Sequence, residues 1–410
     1  MAKFIPFFGL LPCPERAAQV AAVPYDVVNS REAAELAKGN PYSFLHVSRP
    51  EIDLECGIDL HDDRVYAQAK TAFQRLCREV PLTQDKARHL YLYQLQMGNH
   101  VQTGIIGVAS AEEYRTGIIK RHEKTRKDKE DDRTRHVMTL RSHTGPAFFT
   151  YRDNRNIDEM VASELKKEPL FNFTAPDGIR HTLWRIDEAI SANLSKVFDQ
   201  EVPVFYIADG HHRSAAAART AAECAPANPN HNGTEEYNFF LAVAFPASQL
   251  SILPYNRVVR SLNGNTPAGL LTILSERFQV SIASDGVVTA PGEFKFYMDR
   301  EWYLARPKFE VANLDVIEKL DVSILQNNVL APVLGIDDPR TSKEIDFIGG
   351  IRGTAELEKL VNSGEYAIAF SMYPTTVEQL MSIADAGAIM PPKSTWFEPK
   401  LRDGLVCHNF

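Results

Sequence analysis

The stretch Asp209-Gly210-His211-His212-Arg213 puts one acid, one glycine, two imidazoles and one guanidinium in five consecutive positions. It follows the apolar run Val202 to Ala208 and precedes an alanine-rich run from Ser214, so it reads as a buried strand turning straight into a helix. A helix start carries free N–H groups and the positive end of the helix dipole, a combination that binds phosphate. Gly210 lets the backbone approach a ligand without a Cβ, and Arg213 offers a planar fork of donors to phosphate oxygens. Asp209, at the C-terminal end of the strand, could hold Mg²⁺ or orient a hydroxyl, and ligands of open α/β sheets sit at that end of the strands. The plainer alternative is an acid that caps the helix beside solvated histidines. Four functional side chains in five positions favour a phosphate or nucleotide site. Metal chelation by His211 and His212 is the weaker alternative, because adjacent residues diverge in direction and no second ligand cluster is evident.

Two other stretches hold candidate chemistry. From Lys120 to Arg135 eight Lys or Arg mix with five Asp or Glu, which for most positions is a solvated helix laced with ion pairs. Within it His122-Glu123 sets a carboxylate beside a histidine at a helix start, a general-base arrangement. Near the end, Pro391-Pro392-Lys393-Ser394-Thr395-Trp396-Phe397 aligns a cation and two hydroxyls in a proline-held extended segment. A surface loop packed by Trp396 and Phe397 is the competing reading.

The elements around these residues alternate. Asn29-Ser30 caps a helix over 31–38, and Ser43 to Val47 reads as a strand. An amphipathic helix is expected over 62–78. Leu90 to Gln96 and Val101 to Ala109 read as a hairpin turned at Met97-Gly98-Asn99-His100. Strands and helices then alternate through 259, and a further α/β region follows.

Spread over nearly the full length, Pro24-Tyr25-Asp26-Val27, Asn40 to Val47 with Arg49-Pro50-Glu51-Ile52-Asp53, His122-Glu123-Lys124-Thr125, Ala208 to Arg213, Leu253-Pro254-Tyr255-Asn256-Arg257 and Met390 to Thr395 resemble the prokaryotic domain-of-unknown-function family number 1015. More distantly, His122-Glu123, Asp209 to Arg213 and Pro392 to Thr395 resemble, in order, motifs of the free serine kinases of the ParB/sulfiredoxin superfamily. That resemblance implies a mixed α/β fold: a ParB/sulfiredoxin-like nucleotide-binding core over 113–262, with α/β additions over 1–112 and 263–410. It implies Glu123 as base on a hydroxyl, Asp209 in catalysis or Mg²⁺ binding, and Gly210, His211, His212 and Arg213 on phosphate. His122, Lys393, Ser394 and Thr395 would lie on the substrate's side. ATP or ADP with Mg²⁺ would be the cofactors, and a small metabolite, free L-serine first, the acceptor. Two other functions stay open: a nucleotide or phosphometabolite binder without turnover, and a ParB-like nucleotide-gated regulator. The insertion of about 40 residues between Glu123 and Asp209, the N-terminal 110 residues, and Trp396-Phe397 depart from the kinase pattern.

Composition bounds these expectations. The 410 residues, 44% hydrophobic and 24% charged, suit a globular chain of roughly two or three domains. The net charge of −8, from 45 Lys and Arg against 53 Asp and Glu, argues against a nucleic-acid coat. The five scattered cysteines form no C-x-x-C pair, so buried free thiols are expected rather than zinc or disulfides. The start has no signal-peptide pattern and no apolar run is long enough to span a bilayer, so a cytoplasmic protein is expected.

Overall fold

Strand Tyr91–Met97 pairs antiparallel with strand His100–Ser110 in the expected hairpin, with Met97 opposite His100. Gly98 in the turn takes φ +58°, the left-handed conformation such tight turns use. In the computed structural model, which describes residues 1–80 and 82–410, this hairpin lies inside a nine-stranded mixed sheet. The order is Ile119–Lys120, Phe205–Asp209, Ala147–Tyr151, Phe239–Pro246, His100–Ser110, Tyr91–Met97, Arg180–Arg185, Phe171–Thr174, with Phe4–Ile5 also pairing His100–Ser110. The fold is thus mixed α/β. The pairs 119–120 with 205–209 and 147–151 with 239–246 are parallel and the others antiparallel. Parallel strands bring their C-terminal ends to the same edge. The loop after Lys120 and the turn after Asp209 therefore leave the sheet side by side.

Helix His211–Cys224 packs against helix Lys127–Leu140. Its alanines Ala215, Ala217, Ala218 and Ala221 let it sit close to a core of Phe4, Phe149, Tyr151, Phe198 and Phe205. Small side chains on one partner and large rings on the other fill such an interface without voids. Phe205 centres the aromatic cluster, with ring centroids 5.4 Å from Phe4 and 5.7 Å from both Phe149 and Phe198. A second cluster forms where helix Asp63–Glu79 buries Val65, Ala69, Phe73 and Leu76.

The chain divides into two compact units, Met1–Leu250 with Pro399–Phe410, and Ser251–Glu398. This division differs from the expected boundaries at 112 and 262. Strands 91–97 and 100–110 hydrogen-bond into the same sheet as 205–209, so nothing separates the N-terminal segment from the core. The last twelve residues return to the first unit, where Cys407–Asn409 pairs with Gly9–Leu11 and Ser142–His143. The second unit is a six-stranded antiparallel sheet ordered Phe278–Ala283, Glu301–Pro307, Phe294–Met298, Ile368–Met372, Tyr255–Val259, Ile345–Gly349, with helices Pro267–Arg277, Gly353–Asn362 and Val377–Asp385.

Local signals were read with mixed success. Asn29 caps helix Ser30–Ala37 in a full capping box with Glu32. Ser43 to Val47, expected as a strand, instead begins helix Leu45–Ser48. Asn40 accepts the Tyr42 N–H and Ser43 Oγ the Leu45 N–H, which curls the chain, and Phe44, Leu45 and Val47 are all buried. Burial overrides the β preference here. The cysteines are free as expected, but Cys56 is exposed. No helix among the described residues is long and apolar enough to cross a membrane.

Candidate phosphate site

The expected strand-to-helix switch is present: strand Phe205–Asp209 ends at Asp209, and helix His211–Cys224 starts directly after Gly210, three residues ahead of the expected start at Ser214. Gly210 is the N-cap and takes φ +89°. A Cβ there would lie 3.0 Å from Arg213 Nε and 3.3 Å from the Ala147 Cα, so the glycine is required twice, by conformation and by space. The helix start receives no side-chain cap and has no acid in its first turn. Its first N–H groups thus lack a side-chain acceptor, an arrangement that suits an anion.

Asp209 accepts the Gly210 N–H at 2.7 Å, pairs with Lys400 Nζ at 3.2 Å and lies 3.7 Å from Arg213 Nη2. Burial would raise its pKa, but Lys400 and Arg213 outweigh burial and hold the carboxyl well below the usual range. Both oxygens already face cations or an N–H. This donor set does not fit Mg²⁺, which needs oxygens free of competing positive charge, so no step below is routed through the ion. Arg213 also donates to the Pro146 carbonyl. Burial disfavours its charge, but Asp26, Asp209 and Asp403 hold it protonated.

The two histidines of the loop diverge. His211 turns inward, 5% exposed, and meets the buried His122 edge-on with ring centroids 4.5 Å apart. Its Nδ1 lies 3.9 Å from Glu123 Oε2. Burial pushes His122 down to about 4, against the field of Asp209 and a backbone bond to Ile207, and pushes His211 well below its usual value. Both rings are neutral at pH 7. His212 turns the other way, and its Nε2 accepts the Arg126 N–H at 3.1 Å. It pins the start of helix Lys127–Leu140 and holds no phosphate in this arrangement. The absence of a second ligand cluster, argued from sequence, is corrected: His122 and Glu123 converge on His211, because the parallel strands deliver both loops to one edge.

Lys393, Ser394 and Thr395 belong to the second unit. Ser394 is buried, with its hydroxyl donating to the Pro391 carbonyl at 2.7 Å and its own carbonyl accepting from Thr375 Oγ1 at 2.9 Å. Arg257 Nη2 donates to the Lys393 carbonyl at 3.1 Å, and the Lys393 ammonium lies over the Tyr255 ring. These contacts hold the segment in place.

Sequence reasoning missed Lys400, Asp403, Arg133 and Asp26. Arg213 also lines a small cavity of about 40 Å³ with Tyr25, Ser48, Arg133, His143 and Asp403. Four buried polar atoms of this lining, Ser48 Oγ, His143 Nε2, Arg213 Nε and Asp403 Oδ1, have no hydrogen-bond partner. Burial pushes Asp403 up to about 7 despite Arg213 nearby. Such orphaned groups mark space that water or a polar ligand fills. Asp26 lies in the Pro24-Tyr25-Asp26-Val27 motif of the family resemblance, which assigns it no role. Lys400 and Asp403 carried no local signal.

The profile of the family described as Protein of unknown function, DUF1015, matches residues 4–323. No curated protein matches the chain. Among solved structures, a conserved hypothetical protein from Pyrococcus furiosus aligns at 13% identity over 73% of this chain and 93% of its own, with a TM-score of 0.36. SbnI with C-terminal truncation from Staphylococcus aureus aligns at 10% identity over 73% and 85%, TM-score 0.39. A free serine kinase in complex with AMP aligns at 12% identity over 72% and 91%, TM-score 0.37. Likeness at this level says nothing about activity.

Proposed function

The chain belongs to the DUF1015 family of proteins of unknown function, and we propose that it is a nucleotide-dependent phosphotransferase whose acceptor is the hydroxyl of a small metabolite, free L-serine first. The observation that carries this is the uncapped helix start behind Gly210, flanked by Arg213 and Lys400, with the Glu123 carboxylate beside it across His211. The N–H groups of the first turn and the two cations would hold the phosphates of ATP or ADP and the charge that develops in transfer. Glu123, 41% exposed, is open to an incoming hydroxyl and would accept its proton. Assignment of the core as ParB/sulfiredoxin-like, and of His122 and Lys393 to Thr395 to the substrate's side, belongs to the same proposal. It rests on the order of the three motifs.

Incubation of the protein with Mg²⁺, each nucleotide and a panel of hydroxyl metabolites, followed by phosphorus NMR, should give a phosphorylated product. Glu123→Gln should abolish turnover while nucleotide still binds, because a base acts on the chemical step alone. A second reading, a nucleotide or phosphometabolite binder, is favoured by one observation: Asp209 is already neutralised by Lys400 and Arg213 and leaves no open acid for Mg²⁺. Binding with a silent product panel would select it.

A further inference from the structure

We infer that His122, Glu123 and His211 form a site for a divalent first-row transition ion of the zinc type. One ligand atom from each lies within 4.8 Å of the others. A tetrahedral ion with bonds of about 2.1 Å sets its ligands about 3.4 Å apart. Closing the triad therefore takes shifts of roughly 1 Å.

Three features select an ion over a mere cluster of polar groups. His211 is 5% exposed, yet its Nε2 is buried without a hydrogen-bond partner. A buried ring nitrogen left this way carries a desolvation cost that a bound ion would remove. The edge-on contact of the two rings, with centroids 4.5 Å apart, brings imidazole nitrogens from both loops to one place. The backbone also presets the pair, since Phe205 stands opposite Ile119 and Tyr206 opposite Lys120 in the parallel ladder that carries both loops. Two imidazoles with one carboxylate suit zinc, cobalt or iron and not Mg²⁺ or Ca²⁺, which take oxygen ligands. Burial of the two histidines with exposure of Glu123 leaves the remaining coordination position facing solvent, as in zinc sites that bind water or substrate.

The inference shares Glu123 with the phosphotransfer reading and would make it a ligand rather than a free base, and metal uptake is measured without turnover, so the two are tested apart. The full chain, stripped with chelator and titrated with Co²⁺, should bind one equivalent and show visible d–d absorption of a nitrogen and oxygen site. Zn²⁺ should displace it and raise Tm, and Mg²⁺ should not. Glu123→Gln, at a half-exposed position, should fold normally and weaken Co²⁺ binding by at least about tenfold. His211→Ala should do the same, while His231→Ala, in an exposed loop, should leave binding unchanged. No stoichiometric uptake, equal affinity in wild type and Glu123→Gln, or equal displacement by Mg²⁺ would overturn the site.

Discussion

Helices Lys127–Leu140 and His211–Cys224 pack together, and neither receives a side-chain cap, yet their N-termini are opposites. The first supplies its own negative charge. Asp128 and Glu130 lie in its opening turn, Asp128 pairs with Arg126 at 2.8 Å, and Glu130 accepts the Thr125 hydroxyl. The second has no acid in that turn and is ringed by Arg213, Lys400 and two neutral histidines. Aligned backbone dipoles favour negative charge at both places. A helix that answers this demand from its own sequence is complete. One that leaves it open, with cations at hand, has the arrangement that the proposed phosphate site requires.

That contrast can be broken by substitution. The largest effect is expected for Asp209→Ala, which removes the carboxylate shared by two largely buried cations, Lys400 at 13% and Arg213 at 11% side-chain exposure. Removal of one partner from a buried pair costs about 3–5 kcal/mol. The lower end applies here because Asp209 itself is 27% exposed, and urea unfolding would measure it. Arg213→Ala should weaken nucleotide binding by roughly 1.5–3 kcal/mol, the range for hydrogen bonds to charged groups. Calorimetry with unchanged affinity would erase the distinction between the two helix starts.

A smaller, pH-dependent effect belongs to Asp403. Its folded pKa is raised by burial from 3.8 to about 7, so the folded state binds its proton more tightly than the unfolded chain. The stabilisation linked to that proton is full below about pH 4 and lost as pH rises to about 7. Asp403→Asn should remove this slope and gain on wild type across the window, read as Tm against pH. At the other helix, Asp128→Asn should change neither Tm nor nucleotide affinity measurably, because the side chain is exposed and its partner Arg126 is solvated.

What the sequence disclosed followed from distance along the chain. The Asn29 cap, the 97–100 turn and the strand-to-helix switch at Asp209 are local, and each was read correctly from neighbouring residues. The meeting of Glu123 and His122 with His211 depends on a parallel strand pair, which no periodicity reveals. The resemblance put Glu123 and His211 in one site but did not join them as a ligand set. Lys400 and Asp403 were assigned with the C-terminal region, because the return of the chain to the first unit leaves no mark in composition. Ser394 looked reactive by type and turned out to hold its own loop.

The pairing of Lys400 with Asp209 spans 191 residues, and this fixes a timetable. At roughly 5–20 residues per second of translation, the ribosome makes Asp209 about 10–40 s before the lysine that neutralises it. In that interval the whole of Ser251–Glu398, a contiguous sheet with its own core, is synthesised and free to fold. Until then Asp209 faces Arg213 alone, and its pairing with Lys400 waits for the returning segment Pro399–Phe410. Completion of the Asp209 ion pairs therefore comes at the end of the sequence, after the whole inserted unit has been synthesised.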